Sequence, residues 1–228
     1  MWKVVLDFIK TDYFVVSYGI TWFISVITYK KYFDTVLKYL PIIIAYTFFS
    51  ELLGGLVRYN EDIRILFGYE YKNHNNVIYN VYHICFFSFF FYIYWKTISN
   101  QKQKKIVKYG GYLFILMNLI NIIFQNPIVQ SLVYAYLYGV AFLIYCTITY
   151  FKQIFKVYTF DLLKYNLLFW VSLGLLVFHT IYFPLKILKE FFPYDYYLEF
   201  RGVHFIIIVV MYFLFSIGFI ISKRKAFR

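Results

Sequence analysis

The sequence predicts an all-α fold, a polytopic membrane helix bundle of seven transmembrane helices that forms one domain over residues 1–228. Of its residues, 62% are hydrophobic and 15% are charged, whereas a soluble domain carries about 25% charged residues. Because so few charges cannot cover that much apolar surface, a lipid bilayer is the natural solvent for the chain. The apolar residues also form long stretches, and a helix needs about 20 such residues to cross a bilayer.

Seven apolar stretches reach this length or come close to it. They are too continuous for the alternating pattern of a membrane β-barrel strand, and a helix satisfies its own backbone hydrogen bonds in lipid. The segments 59–75 and 185–201 are predicted as the longer outer loops, with aromatic and charged residues that suit the membrane interface. The predicted helices cover residues 12–29, 35–57, 76–95, 109–124, 131–151, 161–184 and 202–222.

The basic residues are divided unequally between the two sides of the predicted bundle. Fifteen of the 23 lie on one side, and the eight on the other side are matched by eight acidic residues. Cytoplasmic loops carry an excess of Lys and Arg, so this division predicts an N-terminus outside and a C-terminus in the cytoplasm. The same distribution explains the net charge of +12 without a nucleic-acid partner. The fifteen are Lys30, Lys31, Lys38, Lys96, Lys102, Lys104, Lys105, Lys108, Lys152, Lys156, Lys164, Lys223, Arg224, Lys225 and Arg228.

Polar side chains cluster in the outer half of the predicted membrane region. Ionisable groups at this depth are expensive, which makes them functional candidates. With a rise of 1.5 Å per residue, Glu51 lies about 7 Å outward from the middle of the second helix, and His83 about 3 Å outward from the middle of the third. The asymmetry predicts a polar ligand or ion pocket that opens outward. Its predicted residues are Glu51, Asn80, His83, Asn121, His179 and His204.

Each of these residues also has a structural interpretation. Asparagines such as Asn80 and Asn121 commonly link transmembrane helices by hydrogen bonds. Glu51 is compatible with a structural pair to His83 or His179, or with a neutral carboxyl group bonded to a tyrosine. The carboxylate and the histidines are ligand types that zinc accepts, but they form no motif such as H-E-x-x-H. The sequence therefore predicts neither a metal nor a cofactor.

Several short motifs resemble those of an uncharacterised group of bacterial seven-helix membrane proteins. The motifs are Ser50-Glu51-Leu52-Leu53, Tyr79-Asn80-Val81-Tyr82, Phe169-Trp170 with Gly174-Leu175-Leu176, and His204 at the start of the last helix. The resemblance covers most of the chain. It implies the seven-helix fold and a location in the bacterial inner membrane, and it supports Glu51, Asn80 and His204 as site residues. It brings no established activity.

Three functions remain compatible with the sequence. The first is a sensor or receptor-like module that binds a small ligand in the outward pocket and contacts a cytoplasmic signalling protein. The second is a homo-oligomeric pore, a transporter or a membrane effector, for which a role in defence is one option. The third is a membrane-embedded lipid-modifying enzyme that uses Glu51 and histidines, although no nucleophile–base motif supports an enzyme. All three place the chain in contact with the lipid bilayer.

Overall fold

The computed structural model describes residues 12–59, 75–128 and 130–224, which contain helices and no strand. Five of the long helices, α3 to α7, are long and apolar enough to cross a membrane, and α1 and α2 are shorter apolar helices over the described residues. The chain is therefore an all-α, multi-pass membrane protein, and the count of seven spans stays a prediction. The seven long helices are α1 (Phe14–Ile27), α2 (Leu40–Tyr59), α3 (Asn75–Thr97), α4 (Gln101–Phe124), α5 (Val133–Val157), α6 (Leu167–Phe191) and α7 (Tyr194–Ile221).

The loop predicted over residues 185–201 is wrong. Helix α6 continues through Pro184 to Phe191, and α7 begins at Tyr194, so that only Phe192 and Pro193 join them. A proline inside a helix removes one backbone donor, and neighbouring helices in a membrane bundle compensate for this loss. The other predicted loop, 59–75, falls almost entirely on residues 60–74, which lie outside the described residues.

Helix α4 begins eight residues earlier than predicted, at Gln101. The side chain of Asn100 accepts hydrogen bonds from the backbone N–H groups of Lys102 and Gln103, which is the usual way that asparagine caps a helix. The basic run that ends at Lys108 is thus the first part of a helix and not a loop. It lies with the connections 28–39 and 158–166 at one end of the bundle, which we call the basic end.

Six of the long helices form a closed ring. Along the ring, α1 packs against α2, α2 against α3, α3 against α5, α5 against α6, α6 against α7, and α7 back against α1. Helix α4 lies outside this ring and packs against α3 and α5. Its side chains consequently reach the neighbouring helices or the surroundings of the bundle, but not the interior of the ring.

Helices α6 and α7 have the most extensive contact in the bundle, and glycines permit their close approach. A Cβ atom at Gly174 would lie 3.0 Å from the carbonyl oxygen of Met211, and one at Gly218 would lie 2.7 Å from Cβ of Trp170. Real Cβ atoms essentially never approach another atom within 3.0 Å. A side chain at Gly218 would therefore force the two helices apart, and one at Gly174 would make a contact that is tighter than usual with the backbone of α7.

Hydrogen bonds from α1 to α7 close the ring. The Thr21 hydroxyl donates to the backbone oxygen of Tyr212 at 3.1 Å and also bonds to the Ser216 hydroxyl at 2.9 Å. All three residues are buried. Nearer the basic end, Lys31 Nζ donates to the backbone oxygen of Ile220 at 2.6 Å. The first and last described helices are thus joined along most of their shared length.

An aromatic layer fills the half of the ring nearer the basic end. We define this layer by Phe90, Tyr94, Phe215 and Phe219, whose side chains are at most 1% exposed. The Tyr94 hydroxyl bonds to Ser172 at 2.9 Å, so that its polar atom is satisfied within the layer. The layer closes the interior of the ring on the side of the basic end.

Candidate functional site

A cavity of about 580 Å³ occupies the half of the ring away from the basic end. All six ring helices, or the residues directly before them, contribute to its wall, and α4 contributes none of the described lining residues. The lining on α3 ends at Phe87 and that on α7 ends at Tyr212, one turn before the aromatic layer. The cavity therefore has a floor at mid-bundle and extends from there toward the opposite end.

The wall of the cavity is mainly aromatic. Eight tyrosines, five phenylalanines and three histidines line it, together with three basic and three acidic side chains. Such a wall offers flat apolar faces and hydroxyl groups at the same time. The tyrosines are Tyr18, Tyr79, Tyr82, Tyr136, Tyr182, Tyr194, Tyr197 and Tyr212.

Four of the six residues predicted from the sequence lie on the cavity wall. Glu51 comes from α2, His83 from α3, His179 from α6 and His204 from α7. The sequence predicts similar membrane depths for these residues, and residues at similar depth meet when they also face the ring interior. The remaining two predicted residues, both asparagines, lie elsewhere.

Asn80 faces the connection between α4 and α5 instead of the cavity. Its Nδ2 donates to the backbone oxygens of Pro127 and Gln130 at 2.8 and 2.9 Å, and its Oδ1 accepts from the backbone N–H of Leu132 at 3.0 Å. Asn80 is 5% exposed. These three bonds give it the helix-linking role that was the structural interpretation of this residue.

Asn121 also lies outside the cavity, because α4 lies outside the ring. Its Nδ2 donates to Oε1 of Gln125 at 2.5 Å, and its Oδ1 accepts from the backbone N–H of Ala135 at 3.0 Å. Asn118, on the same face, donates to the backbone oxygen of Phe114 within α4. The polar side chains of α4 thus bond to the start of α5 and to groups of α4 itself.

Glu51 lies among tyrosines. The Tyr79 hydroxyl donates to its Oε2 at 3.0 Å, and Tyr18 and Tyr212 are within electrostatic range of the carboxyl group. This environment matches one of the alternatives predicted from the sequence, in which the carboxyl group of Glu51 is bonded to a tyrosine. The hydroxyl group provides the polar neighbour that a carboxyl group needs at this depth.

His204 is held in place by two tyrosines. Its Nδ1 lies 2.8 Å from the Tyr197 hydroxyl, and its ring stacks on Tyr182 with the centroids 4.2 Å apart and the planes at 19°. A histidine fixed in this way is a rigid part of the wall. Its other ring nitrogen remains available for a hydrogen bond to a bound molecule.

Ion pairs lie on the part of the wall farthest from the aromatic layer. Lys186 Nζ is 2.7 Å from Glu190 Oε1, and Arg201 Nη2 is 3.5 Å from Asp12 Oδ1. The second pair joins α7 to the residues before α1. Because the charges are paired with each other, this part of the wall is polar and does not carry a strong field of one sign.

Much of the cavity wall was not predicted from the sequence. Lys186 and Arg201 fall in the segment predicted as a loop, which is helical, and of the lining tyrosines Tyr194 and Tyr197 were predicted as membrane-interface residues of that loop. The spacing of the lining residues does contain a signal. Residues 179, 182, 186 and 190 on α6, and residues 197, 201, 204 and 208 on α7, recur every three or four positions, and each series contains a histidine. Such stripes on two consecutive helices identify the faces that line a common interior.

The described residues do not converge as a metal site. They contain no group of three or more His, Cys, Asp or Glu side chains arranged to hold an ion. Comparison with known proteins gives no match, whether to a family model, a curated protein or a solved structure. The resemblance to bacterial seven-helix proteins therefore stays a prediction.

Proposed function

We propose that this protein is a receptor-like membrane module that binds a small ligand in the cavity and passes a signal to a cytoplasmic partner. The observation that carries the proposal is a cavity with a closed floor inside a single ring of helices. Ligand pockets typically have about 300–1,000 Å³, mostly apolar walls and a few placed polar groups. The cavity has a volume within this range and a wall rich in aromatic side chains, and it carries more polar groups than a typical pocket.

The aromatic layer favours a receptor over a pore within one copy of the chain. Phe90, Tyr94, Phe215 and Phe219 are fully buried and lie directly between the cavity and the basic end. An ion path through the ring would have to cross this layer, whose four side chains carry one hydroxyl group, that of Tyr94, and this group already bonds to Ser172 and Thr147. The enzyme alternative has less support, because the sequence contains no nucleophile–base motif and the described hydrogen bond to Glu51 comes from Tyr79.

Helix α7 provides a physical route from the cavity to the basic end. It carries Arg201 and His204 on the cavity wall and, about five turns after Arg201, Ile220, whose backbone oxygen accepts a hydrogen bond from Lys31. At the same end, Arg224 pairs with Asp34 at 3.0 Å. A ligand that shifts α7 along its neighbours would therefore change the surface offered to a partner, as in other shear movements of packed helices.

The proposal places the protein in the bacterial inner membrane, with the cavity end outside and the basic end in the cytoplasm. We expect reporter fusions after Lys108 and after Arg228 to give cytoplasmic signals, because basic segments are retained on that side. A fusion within residues 59–75 should give a periplasmic signal. A periplasmic signal at Arg228 would contradict this orientation.

Ligand binding can be tested with a variant that fills the cavity. Ile208 lines the cavity and is 4% exposed, whereas Ile206 on the same helix is 56% exposed. We expect drug-sized compounds from a diverse set to raise the thermal midpoint of the wild-type protein in nanodiscs. Ile208→Trp should abolish this shift because its ring occupies the cavity, and Ile206→Trp should retain it.

Two results would contradict the proposed function. One is that no compound of this size stabilises the wild-type protein. The other is that the Ile208→Trp and Ile206→Trp proteins respond to the same compounds to the same extent, since binding would then take place outside the cavity.

A further inference from the structure

His179 lies on the cavity wall with neither ring nitrogen in a hydrogen bond. The residue is 3% exposed. Its ring is surrounded by Phe178, Phe87 and Phe86, with centroid distances of 5.0, 5.8 and 5.9 Å. Buried polar groups are nearly always hydrogen-bonded, and leaving one unsatisfied is costly. An unpartnered imidazole on a cavity wall therefore points to a bound molecule as its partner.

The aromatic rings around His179 restrict the shape of this molecule. They form an apolar surround of the imidazole. His83 on α3 lies within electrostatic range of His179, and the centroid of its ring is 4.6 Å from that of Tyr136. Aromatic faces bind a flat ring more favourably than a branched chain, since stacking adds to the burial of apolar area. The part of the ligand near the floor is thus expected to be a planar ring.

The charges of the wall restrict the polar group of the ligand. The lining contains three basic and three acidic side chains, and the pairs Lys186–Glu190 and Arg201–Asp12 lie away from the floor. A charged ligand group beside His179 would consequently have no opposite charge among the three phenylalanines that surround this ring. An uncharged imidazole offers one donor and one acceptor, which a hydroxyl group matches because it can both donate and accept.

We propose that the cavity binds an uncharged planar ring compound whose hydroxyl group bonds to His179. The ring lies against Phe86, Phe87 and Phe178. Because neighbouring atoms cover both imidazole nitrogens, a small rotation of the His179 ring brings one of them to the hydroxyl group. This inference rests on the proposed function, since it names the ligand class of the same cavity. It assigns to His179 the role of selecting the polar group, whereas Glu51 and His204 have tyrosine partners of their own.

The test uses four pyrenes that share one ring system and differ in the polar group. They are 1-hydroxypyrene, pyrene, 1-pyrenecarboxylate and 1-pyrenemethylammonium. Affinities are measured from the rise of the thermal midpoint with ligand concentration in nanodiscs of one lipid composition. Wild-type and variant proteins are compared in identical nanodiscs, so that partition of each compound into lipid cancels.

We expect 1-hydroxypyrene to bind the wild-type protein about tenfold more tightly than pyrene, as one additional hydrogen bond provides. The carboxylate and the ammonium compound should bind more weakly than pyrene. His179→Phe removes both nitrogens and should reduce the preference for the hydroxyl group to less than about twofold. His179→Gln keeps one donor and one acceptor and should retain part of the preference, so the test remains decisive if the phenylalanine variant fails to fold.

Equal affinity for 1-hydroxypyrene and pyrene in the wild-type protein would overturn the inference, and so would a preference for the charged compounds. An unchanged hydroxyl preference in His179→Phe would assign the selection to another residue. In each of these cases the cavity still binds a ring compound, and the proposed function stands. Failure of all four pyrenes overturns the inference as well, while the diverse set of compounds tests the proposed function independently.

Discussion

Gly218→Leu is expected to destabilise the protein by about 3 kcal/mol or more, because overpacking at a close helix contact forces the backbones apart. The new Cβ atom would lie 2.7 Å from Cβ of Trp170 and 3.1 Å from Cδ1 of Leu167. Cβ of Trp170 is attached directly to the backbone of α6 and cannot move aside, so α6 and α7 must separate. For a chain of this length we expect the thermal midpoint to fall by roughly 10 °C.

Gly202→Leu is the matched control on the same helix. A Cβ atom at Gly202 meets nothing within 4 Å, and leucine favours a helix over glycine by about 0.8–1 kcal/mol. This variant should keep or slightly raise the thermal midpoint measured in the same nanodiscs. Similar midpoints for the Gly218→Leu and Gly202→Leu proteins would show that α6 and α7 do not pack at the distance described.

Asn80→Ala is expected to have the second largest effect, a loss of about 3 kcal/mol. It removes a side chain that bonds to the backbone of Pro127, Gln130 and Leu132 together, and each bond contributes about 1 kcal/mol. Asn118→Ala is the control: its side chain is equally buried but bonds to one carbonyl oxygen in its own helix. We expect a loss of at most about 1 kcal/mol for this control.

Ligand affinity separates the structural role of Asn80 from a site role. Asn80 does not line the cavity among the described residues. The Asn80→Ala protein, measured well below its own thermal midpoint, should therefore bind 1-hydroxypyrene within about twofold of the wild-type affinity. A much larger loss of affinity, with little change in stability, would return Asn80 to the group of binding residues.

Composition and the length of the apolar stretches were sufficient to predict an all-α membrane bundle, because lipid permits few alternatives. Depth along each helix also brought Glu51, His83, His179 and His204 together correctly. The rotation of a helix and its place in the bundle were harder to predict. Asn121 has a suitable depth, but α4 packs outside the ring, and this arrangement depends on contacts between helices that are distant in sequence.

The connection between α6 and α7 shows a second limit of sequence patterns. Lys186, Glu190 and Arg201 suggested a loop because charged residues are rare in the hydrocarbon region. The structure keeps them in helices by pairing Lys186 with Glu190 one turn apart and Arg201 with Asp12. Hydropathy registers the charge of each residue but not the partner that neutralises it, and that partner decides whether the helix can continue.

The joining of α1 to α7 has a consequence for biosynthesis. The two helices that close the ring lie near opposite ends of the described residues, so the ring can form only after α7 has left the ribosome. Until then Thr21 lacks its bonds to Tyr212 and Ser216, and an open wall exposes polar groups to lipid at considerable cost. A chain that stops before α7 thus differs from one that contains it in a way that membrane quality control can recognise, and the cavity exists only in molecules that contain both helices.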